Sequence, residues 1–343
     1  MKKILLMLLI CIVSHASAES INGIVFFGDS LSDNGNFYRQ TRSLLPKSPP
    51  YYYGRFSNGP VWSELVANYF QKNHSMFISN YAVGGAMVLS HHISNYAHPF
   101  LRTEINTFFA ENQDIANQQT LYVIWIGEND YIDMENTDNI ELETTTVVEN
   151  IQSALETLTD HGAQHFLIFN LPDLSKTPLA NSKTNNDKTY LSHLIQTHNK
   201  KLLTATQRFK TLHPNIQMIY HDIYTDFNAM LQHPESFSQQ YNQHLTDSNN
   251  SCWTHGYFLQ ETQPNYRFSL SQTSTTPPPP YPEDHSPDTT TAFEISQLIQ
   301  FFHETPCTTP NTHLFWDKLH PSSATHQIIA QIAEKALAAE NIK

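Results

Sequence analysis

Short apolar runs alternate with segments of helical spacing along most of the chain, and this alternation strongly limits the fold. The runs have the length of buried strands and span residues 24–27, 77–81, 121–126, 165–170 and 216–221. Helical segments are predicted between and after them, from Pro60 and over 144–158, 188–209, a stretch ending at 230, and 322–339. Strands that alternate with helices predict an α/β fold, a doubly wound parallel sheet flanked by helices.

The length and charge of the chain limit the classes of function. The 343 residues suit one large domain or two small ones and can bury a sizeable core. The formal charge of −13 argues against a nucleic-acid partner, because phosphate binding needs clustered Lys and Arg. An acidic protein can still meet a membrane surface through an apolar contact.

Residues 1–18 have the pattern of a cleavable secretory signal. Lys2 and Lys3 precede an apolar stretch over 4–13, and a small-residue cleavage site follows at 16–18. A membrane anchor is the alternative, but about ten apolar residues are too few to span a bilayer. We therefore expect an exported protein, periplasmic or extracellular, whose residues 19–343 form a single domain.

The cysteines agree with export. Cleavage of the signal removes Cys11 and leaves Cys252 and Cys307. In an oxidising compartment two cysteines are most simply one disulfide, and two free thiols are the alternative.

Polar residues follow three of the predicted strands. Ser30 lies just beyond the strand over 24–27, at the sheet edge where ligands bind in open α/β folds, and a serine with a base nearby can be a nucleophile. Gly85 and Asn129 follow the next two strands. Taken alone, each of the three is more typical of a turn.

Near the C-terminus, Asp317 and His320 form a fourth candidate group. Pro321 favours an extended residue before it and a helix start after it, so His320 should project from a loop ahead of the terminal helix. Asp317 is near enough to accept the His320 Nδ1–H. A surface pair on a loop is the alternative, and with 19 histidines in the chain only the spacing and neighbours single His320 out.

Together these segments resemble the GDSL, or SGNH, family of serine hydrolases, most closely its secreted bacterial lipase and acyltransferase branch. The four family blocks appear in order as GDSL, N-x-A-x-x-G, G-x-N-D and D-x-x-H, at 28–31, 80–85, 127–130 and 317–320. The string GRFSNGPVW at 54–62 resembles the segment that follows the first block. The resemblance covers a small part of the length and implies a flavodoxin-like, three-layer SGNH-hydrolase architecture.

The resemblance also implies residue roles. Ser30 would attack an ester carbonyl, His320 would act as the base, and Asp317 would orient His320. The backbone N–H groups of Ser30 and Gly85 and the Asn129 side chain would hold the oxyanion. No cofactor or metal is expected. The sequence has no G-x-S-x-G elbow and no H-E-x-x-H motif, which disfavours α/β-hydrolase and zinc-hydrolase alternatives.

The branch resembled acts on phospholipids and lysophospholipids, and some members pass acyl chains to cholesterol. The expected substrate is therefore a lipid acyl ester, whether or not it lies in a membrane surface. The acceptor alcohol expected for acyl transfer is cholesterol. A secreted carbohydrate or small-ester esterase of the same fold is the alternative. A third hypothesis is a non-catalytic surface-binding protein, and the joint presence of all four blocks argues against it. The aromatic residues over 51–56 would either line an acyl groove or pack their own loop.

The regular pattern breaks from about residue 233 to 310, which predicts an irregular insertion. Cys252 and Cys307 flank most of this insertion. Four consecutive prolines occupy 277–280, and helical spacing resumes over 292–302. We hypothesise that this loop is a partial lid and that an activating protease cuts it. An inert surface loop is the alternative.

Overall fold

The computed structural model describes residues 21–74, 76–89, 100–132, 134, 139–254 and 305–342. The predicted signal sequence, the prolines at 277–280 and the helical spacing over 292–302 lie outside these described residues, as does most of the hypothetical lid.

A five-stranded parallel sheet forms the centre of the described chain, in the order β2-β1-β3-β4-β5. The strands are β1 Gly23–Gly28, β2 Phe77–Asn80, β3 Thr120–Trp125, β4 His165–Phe169 and β5 Gln217–His221. Every residue of β1 and β3 is buried, which explains why these strands are nearly continuous apolar runs: helices cover both faces of the sheet. The predicted α/β class and doubly wound parallel sheet are confirmed.

The helices beside the sheet bury side chains on one face, except the first helix of the chain, which has no buried residue. They are α1 Asn36–Gln40, α2 Trp62–His74, α3 Leu101–Glu111, α4 Ile140–Asp160, α5 Asn185–Leu212, α6 Ile223–Gln232, α7 Pro234–Tyr241 and α8 Ser323–Ala339. Helix α2 packs against α8, and α4 packs against α5. None of the described helices has the length and apolar character needed to cross a membrane.

Several helices begin away from the predicted residue. Helix α4 starts earlier because the Asn139 side chain accepts the Leu142 N–H and caps it. Thr184 and Asp187 form a capping box, and α5 likewise starts earlier in the chain than predicted. Helix α2 starts after Pro60, at Trp62. The starts of α4 and α5 are set by polar caps, which apolar spacing does not reveal.

The prediction that regularity fails from about residue 233 was wrong for its first part. Helix α7 begins there with Pro234 at its first turn, and buries Tyr241. Strand β6, Asp247–Ser251, pairs in parallel with β7, His313–Phe315, although its five residues have no apolar alternation. This segment is therefore a strand because it pairs with β7, and not because of its own residue pattern. Just beyond it, Cys252 and Cys307 are joined by a disulfide.

Gly28→Ala should destabilise the fold much more than Gly23→Ala in the same strand. A Cβ at Gly28 would lie 2.3 Å from the Trp125 carbonyl oxygen, whereas at Gly23 the nearest atom is the Thr120 Oγ1 at 3.0 Å. Backbone on a central strand cannot move aside, while a side-chain oxygen can. We expect a loss of about 2–3 kcal/mol for Gly28→Ala in urea unfolding. Equal losses in the two variants would contradict the argument.

Candidate active site

Ser30 lies in the tight turn that follows β1. The Asp29 side chain accepts the Leu31 N–H at 3.0 Å, and the Asp29 carbonyl accepts the N–H groups of Ser32 and Asp33. This turn points the Ser30 hydroxyl toward His320, with Oγ 2.8 Å from His320 Nε2. The strand end predicted from the sequence therefore presents the serine to an imidazole 290 residues away.

Asp317 and His320 are fully buried and hydrogen-bonded to each other. His320 Nδ1 lies 2.8 Å from Asp317 Oδ2, and Asp317 Oδ1 accepts the backbone N–H groups of Leu319 and His320 at 2.8 and 2.7 Å. Burial raises the pKa of Asp317, but the charge and hydrogen bonds of His320 outweigh it and hold that pKa below its usual value. The alternative of a surface pair is wrong, because both side chains are excluded from water.

The loop that carries these two residues is held at both ends. The Trp316 N–H donates to the His320 carbonyl at 2.8 Å, which closes the loop on itself. Pro321 forms an isolated bridge with Phe315 of β7, and the Pro321 carbonyl accepts the Ser57 hydroxyl. Ser322 then caps α8. The His320 imidazole is thus anchored by a strand on one side and a helix on the other.

Gly85 and Asn129 lie in the two loops beside Ser30. Gly85 has a φ of +77°, a left-handed conformation that favours glycine. Asn129 follows β3 in a turn and uses one amide hydrogen to donate to the Ala86 carbonyl at 2.9 Å, which leaves the second hydrogen. Among the described residues, the backbone N–H groups of Ser30 and Gly85 have no hydrogen-bond acceptor.

Buried carboxyl groups hold the Gly85 loop in place, and sequence reasoning missed them. Glu104 accepts the N–H groups of Gly28 and Val83 at 2.9 and 3.2 Å, and burial raises its pKa well above the usual value. Asp33 accepts the Gly84 N–H at 2.8 Å, and burial raises its pKa to about 6. The first of these acids ties the loop to the end of β1, and the second ties it to the turn after Ser30.

Asp130 does the same for the far end of that loop. Its two oxygens accept the N–H groups of Val88 and Leu89 at 2.9 and 2.8 Å. Burial raises the pKa of Asp130 to about 7. Its place directly after Asn129 in the G-x-N-D block was the available sequence signal for this role.

Asp29 and Glu128 form a buried carboxyl pair next to the Ser30 turn. Both side chains are buried, and two neighbouring carboxyl groups resist ionising together because their negative charges repel. Burial and the charge of Asp29 raise the pKa of Glu128 well above its usual value. Burial also raises the pKa of Asp29, although the hydrogen bond that Asp29 accepts from the Leu31 N–H opposes this. Both effects favour the protonated form of Glu128.

The aromatic segment before α2 packs on the candidate acid–base pair. The Tyr51 hydroxyl donates to Asp317 Oδ2 at 2.5 Å, and the Phe56 ring lies 5.0 Å from the His320 ring. Both aromatic side chains are buried and neither lines the pocket beside Ser30. For these two residues the packing interpretation is right and the acyl-groove interpretation is wrong.

A pocket opens beside Ser30, and its space together with the adjoining open solvent is about 450 Å³. Apolar side chains make most of its wall, and they are Leu31, Trp125, Pro172, Leu174, Phe227, Phe315, Leu319 and Pro321. The polar residues of the lining are Ser30, His320, Asn129, Thr177 and the Asp29–Glu128 pair. Such a pocket suits a ligand with an apolar chain and a polar reacting group.

Among the described residues, the one cluster of candidate metal donors is Cys252, Cys307 and His313. The two cysteines are joined in the disulfide, so neither offers a thiolate.

Comparison with known proteins gives a consistent picture. The family profile described as GDSL-like Lipase/Acylhydrolase matches residues 24–333. A phosphatidylcholine-sterol acyltransferase of Aeromonas hydrophila is 30% identical over 92% of this chain and 90% of its own length. The secreted effector protein SseJ of Salmonella typhimurium is 28% identical over 71% of this chain, and the thermolabile hemolysin of Vibrio parahaemolyticus is 26% identical over 94%. The matches span 55% and 65% of those two relatives.

Glu128→Gln should make stability less dependent on pH. An unfolded Glu ionises near pH 4, whereas folding raises the pKa of Glu128 well above that value. Between the two values the folded state binds more protons than the unfolded state, so wild-type stability falls as the pH rises, by about 1 kcal/mol per pH unit for one such group. Glutamine does not titrate, so the free energy of unfolding of the variant should rise relative to that of the wild type from pH 5 to 7.

Urea unfolding at pH 5, 6 and 7 measures this difference. Glu149→Gln, on the exposed side of α4, is the matched control and should follow the wild type. Parallel pH dependences of Glu128→Gln and wild type would show that Glu128 is ionised in the folded protein.

Proposed function

The chain belongs to the GDSL-like lipase/acylhydrolase family and is an ester hydrolase, and from that premise we propose that Ser30, His320 and Asp317 are its catalytic triad. The observation that carries this proposal is the unbroken chain of hydrogen bonds from Ser30 Oγ to His320 and on to Asp317, each 2.8 Å long. Nucleophile, base and orienting carboxylate each have the geometry that acyl transfer requires.

In the proposed reaction, Ser30 Oγ attacks the ester carbonyl carbon while His320 Nε2 takes the hydroxyl proton. The negative Asp317 carboxylate stabilises the imidazolium that forms. The tetrahedral intermediate collapses, the C–O bond to the alcohol breaks, and His320 returns the proton to that alcohol. Water then attacks the acyl-Ser30 ester with His320 again as the base, which releases the acid and restores the free serine.

The oxyanion of the intermediate needs donors opposite the attacking oxygen. We assign this role to the Ser30 and Gly85 N–H groups and to the free amide hydrogen of Asn129. The left-handed φ of Gly85 and the hydrogen bond from Asn129 to Ala86 support this assignment, since both orient a donor without consuming it. Each such donor contributes roughly 3 kcal/mol in the transition state.

We propose a lipid acyl ester as the substrate, with phospholipase A or lysophospholipase activity. The apolar wall of the pocket favours an acyl chain over a sugar ring, which would need more polar partners. A relative at 30% identity is named a phosphatidylcholine-sterol acyltransferase, which supports cholesterol as an acceptor that replaces water in the second step. The same enzyme would then be a hydrolase in water and a transferase beside a sterol-containing membrane.

We further propose that the protein is exported. The leader-like pattern over 1–18, the disulfide between Cys252 and Cys307, and a relative named as a secreted effector support this. We also propose that a protease cuts within the insertion. The proposed cut site lies outside the described residues.

Ser30→Ala should abolish ester hydrolysis and leave the fold intact, because it removes only a hydroxyl. His320→Ala should lose nearly as much activity, since the two side chains act as a unit. Hydrolysis of a p-nitrophenyl ester measures the rates, and circular dichroism checks the fold. Ser153→Ala removes a serine hydroxyl at an exposed position of α4, outside the pocket, and is the control. Wild-type turnover by folded Ser30→Ala would falsify the triad.

The substrate class can be tested with two acyl esters. We expect purified protein to release fatty acid from lysophosphatidylcholine much faster than acetate from acetylated xylan. Addition of cholesterol to mixed vesicles should divert part of the acyl chain into cholesteryl ester, detected by lipid mass spectrometry. Faster release of acetate would instead favour the carbohydrate-esterase alternative, and Ser30→Ala serves as the blank in every assay.

A further inference from the structure

The Asp317 carboxylate accepts four hydrogen bonds, and one of them comes from a distant part of the chain. Oδ1 accepts the N–H groups of Leu319 and His320. Oδ2 accepts from His320 Nδ1 at 2.8 Å and from the Tyr51 hydroxyl at 2.5 Å. The three other donor groups belong to residues within three positions of Asp317, whereas Tyr51 lies 266 residues away. The oxygen that faces the imidazole is thus shared between His320 and a phenol.

Tyr51 is held rigidly in this position. The residue is 3% exposed, and its ring packs edge-on against Trp253, Phe56 and Trp316, with centroid distances of 5.2, 5.9 and 6.4 Å. The neighbouring backbone is also closed, because the Tyr52 N–H donates to the Ser57 carbonyl. The Tyr51 hydroxyl faces Asp317 and does not line the pocket. The Tyr51 hydroxyl therefore acts on the proposed acid–base pair through Asp317.

We propose that Tyr51 is a positioning residue for the acid–base pair: its hydroxyl holds Asp317 Oδ2 toward His320 and limits the negative charge that this oxygen offers to the imidazole. This inference rests on the triad proposed above. Phe56 supports the same function from the other side, since its ring lies against the His320 ring. One loop thus restrains both members of the pair.

The charge effect predicts a direction. A hydrogen bond from Tyr51 withdraws electron density from Oδ2, so its loss should leave Asp317 a stronger partner for protonated His320. The other groups facing His320 do not replace it. Asp29 interacts with His320 electrostatically, and burial lowers the pKa of His326 to about 3, so His326 stays neutral at working pH. Loss of the Tyr51 hydroxyl should therefore shift the acid limb of kcat/KM to higher pH.

Tyr51→Phe tests this while it keeps the packed ring. On a soluble p-nitrophenyl butyrate substrate we expect kcat to fall about fivefold, KM to stay within about twofold, and the acid limb to move up by about half a pH unit. Tyr52→Phe removes a hydroxyl from the next residue, which is 38% exposed, and should change none of these values. A fluorophosphonate titration counts competent sites, so kcat is given per folded enzyme.

A second variant keeps the proposal testable if Tyr51→Phe folds poorly. Replacement of Tyr51 by 3-fluorotyrosine retains the ring and the hydroxyl but strengthens the donor. The acid limb should then move to lower pH, opposite to the shift in Tyr51→Phe.

The outcomes separate this inference from the triad itself. Opposite shifts in the two Tyr51 variants support the positioning role. An unchanged pH profile, a uniform loss of kcat at every pH, or an effect on KM alone would overturn it while Ser30→Ala remained inactive. Full activity of Ser30→Ala would instead overturn the triad beneath it.

Discussion

Buried carboxyl groups that accept loop N–H groups hold the site together. Loops at the carboxyl edge of a parallel sheet have no strand partner for their backbone donors, and a buried donor left unpaired costs about as much as a lost hydrogen bond. Glu104, Asp33 and Asp130 supply the acceptors for the loop that carries Gly85. The position of the Gly85 N–H, and of the Ala86 carbonyl that orients Asn129, depends on these three side chains.

Burial of these carboxyl groups disfavours their ionised form. Burial raises the pKa of Asp33 to about 6 and that of Asp130 to about 7, so both sit close to a change of charge near neutral pH. In the Asp29–Glu128 pair, burial and the charge of Asp29 favour the protonated form of Glu128. An ionised Glu128 beside Asn129 would oppose an oxyanion forming at the same edge, so its neutrality is compatible with the proposed chemistry.

The aromatic cluster joins the disulfide to the acid–base loop. The Trp253 N–H donates to the Trp316 carbonyl at 2.8 Å, directly before Asp317. Trp253 follows Cys252, and its ring contacts Tyr51. The disulfide, the segment over 51–56 and the loop of His320 therefore form one packed unit, although each comes from a different part of the chain. A change in any one of them reaches the others through direct contact.

The sequence by itself determined the strands, the order of the blocks and the side chains at the strand ends, because apolar runs and turn residues are local signals. It could not place Tyr51 against Asp317, since a Pro- and Tyr-rich loop has no periodic pattern to orient it. It also gave no sign that β6 is a strand, because a polar segment pairs there only through contact with β7. The tertiary structure alone decided which buried acids meet which N–H groups, because each such contact depends on the packing of distant segments rather than on local spacing.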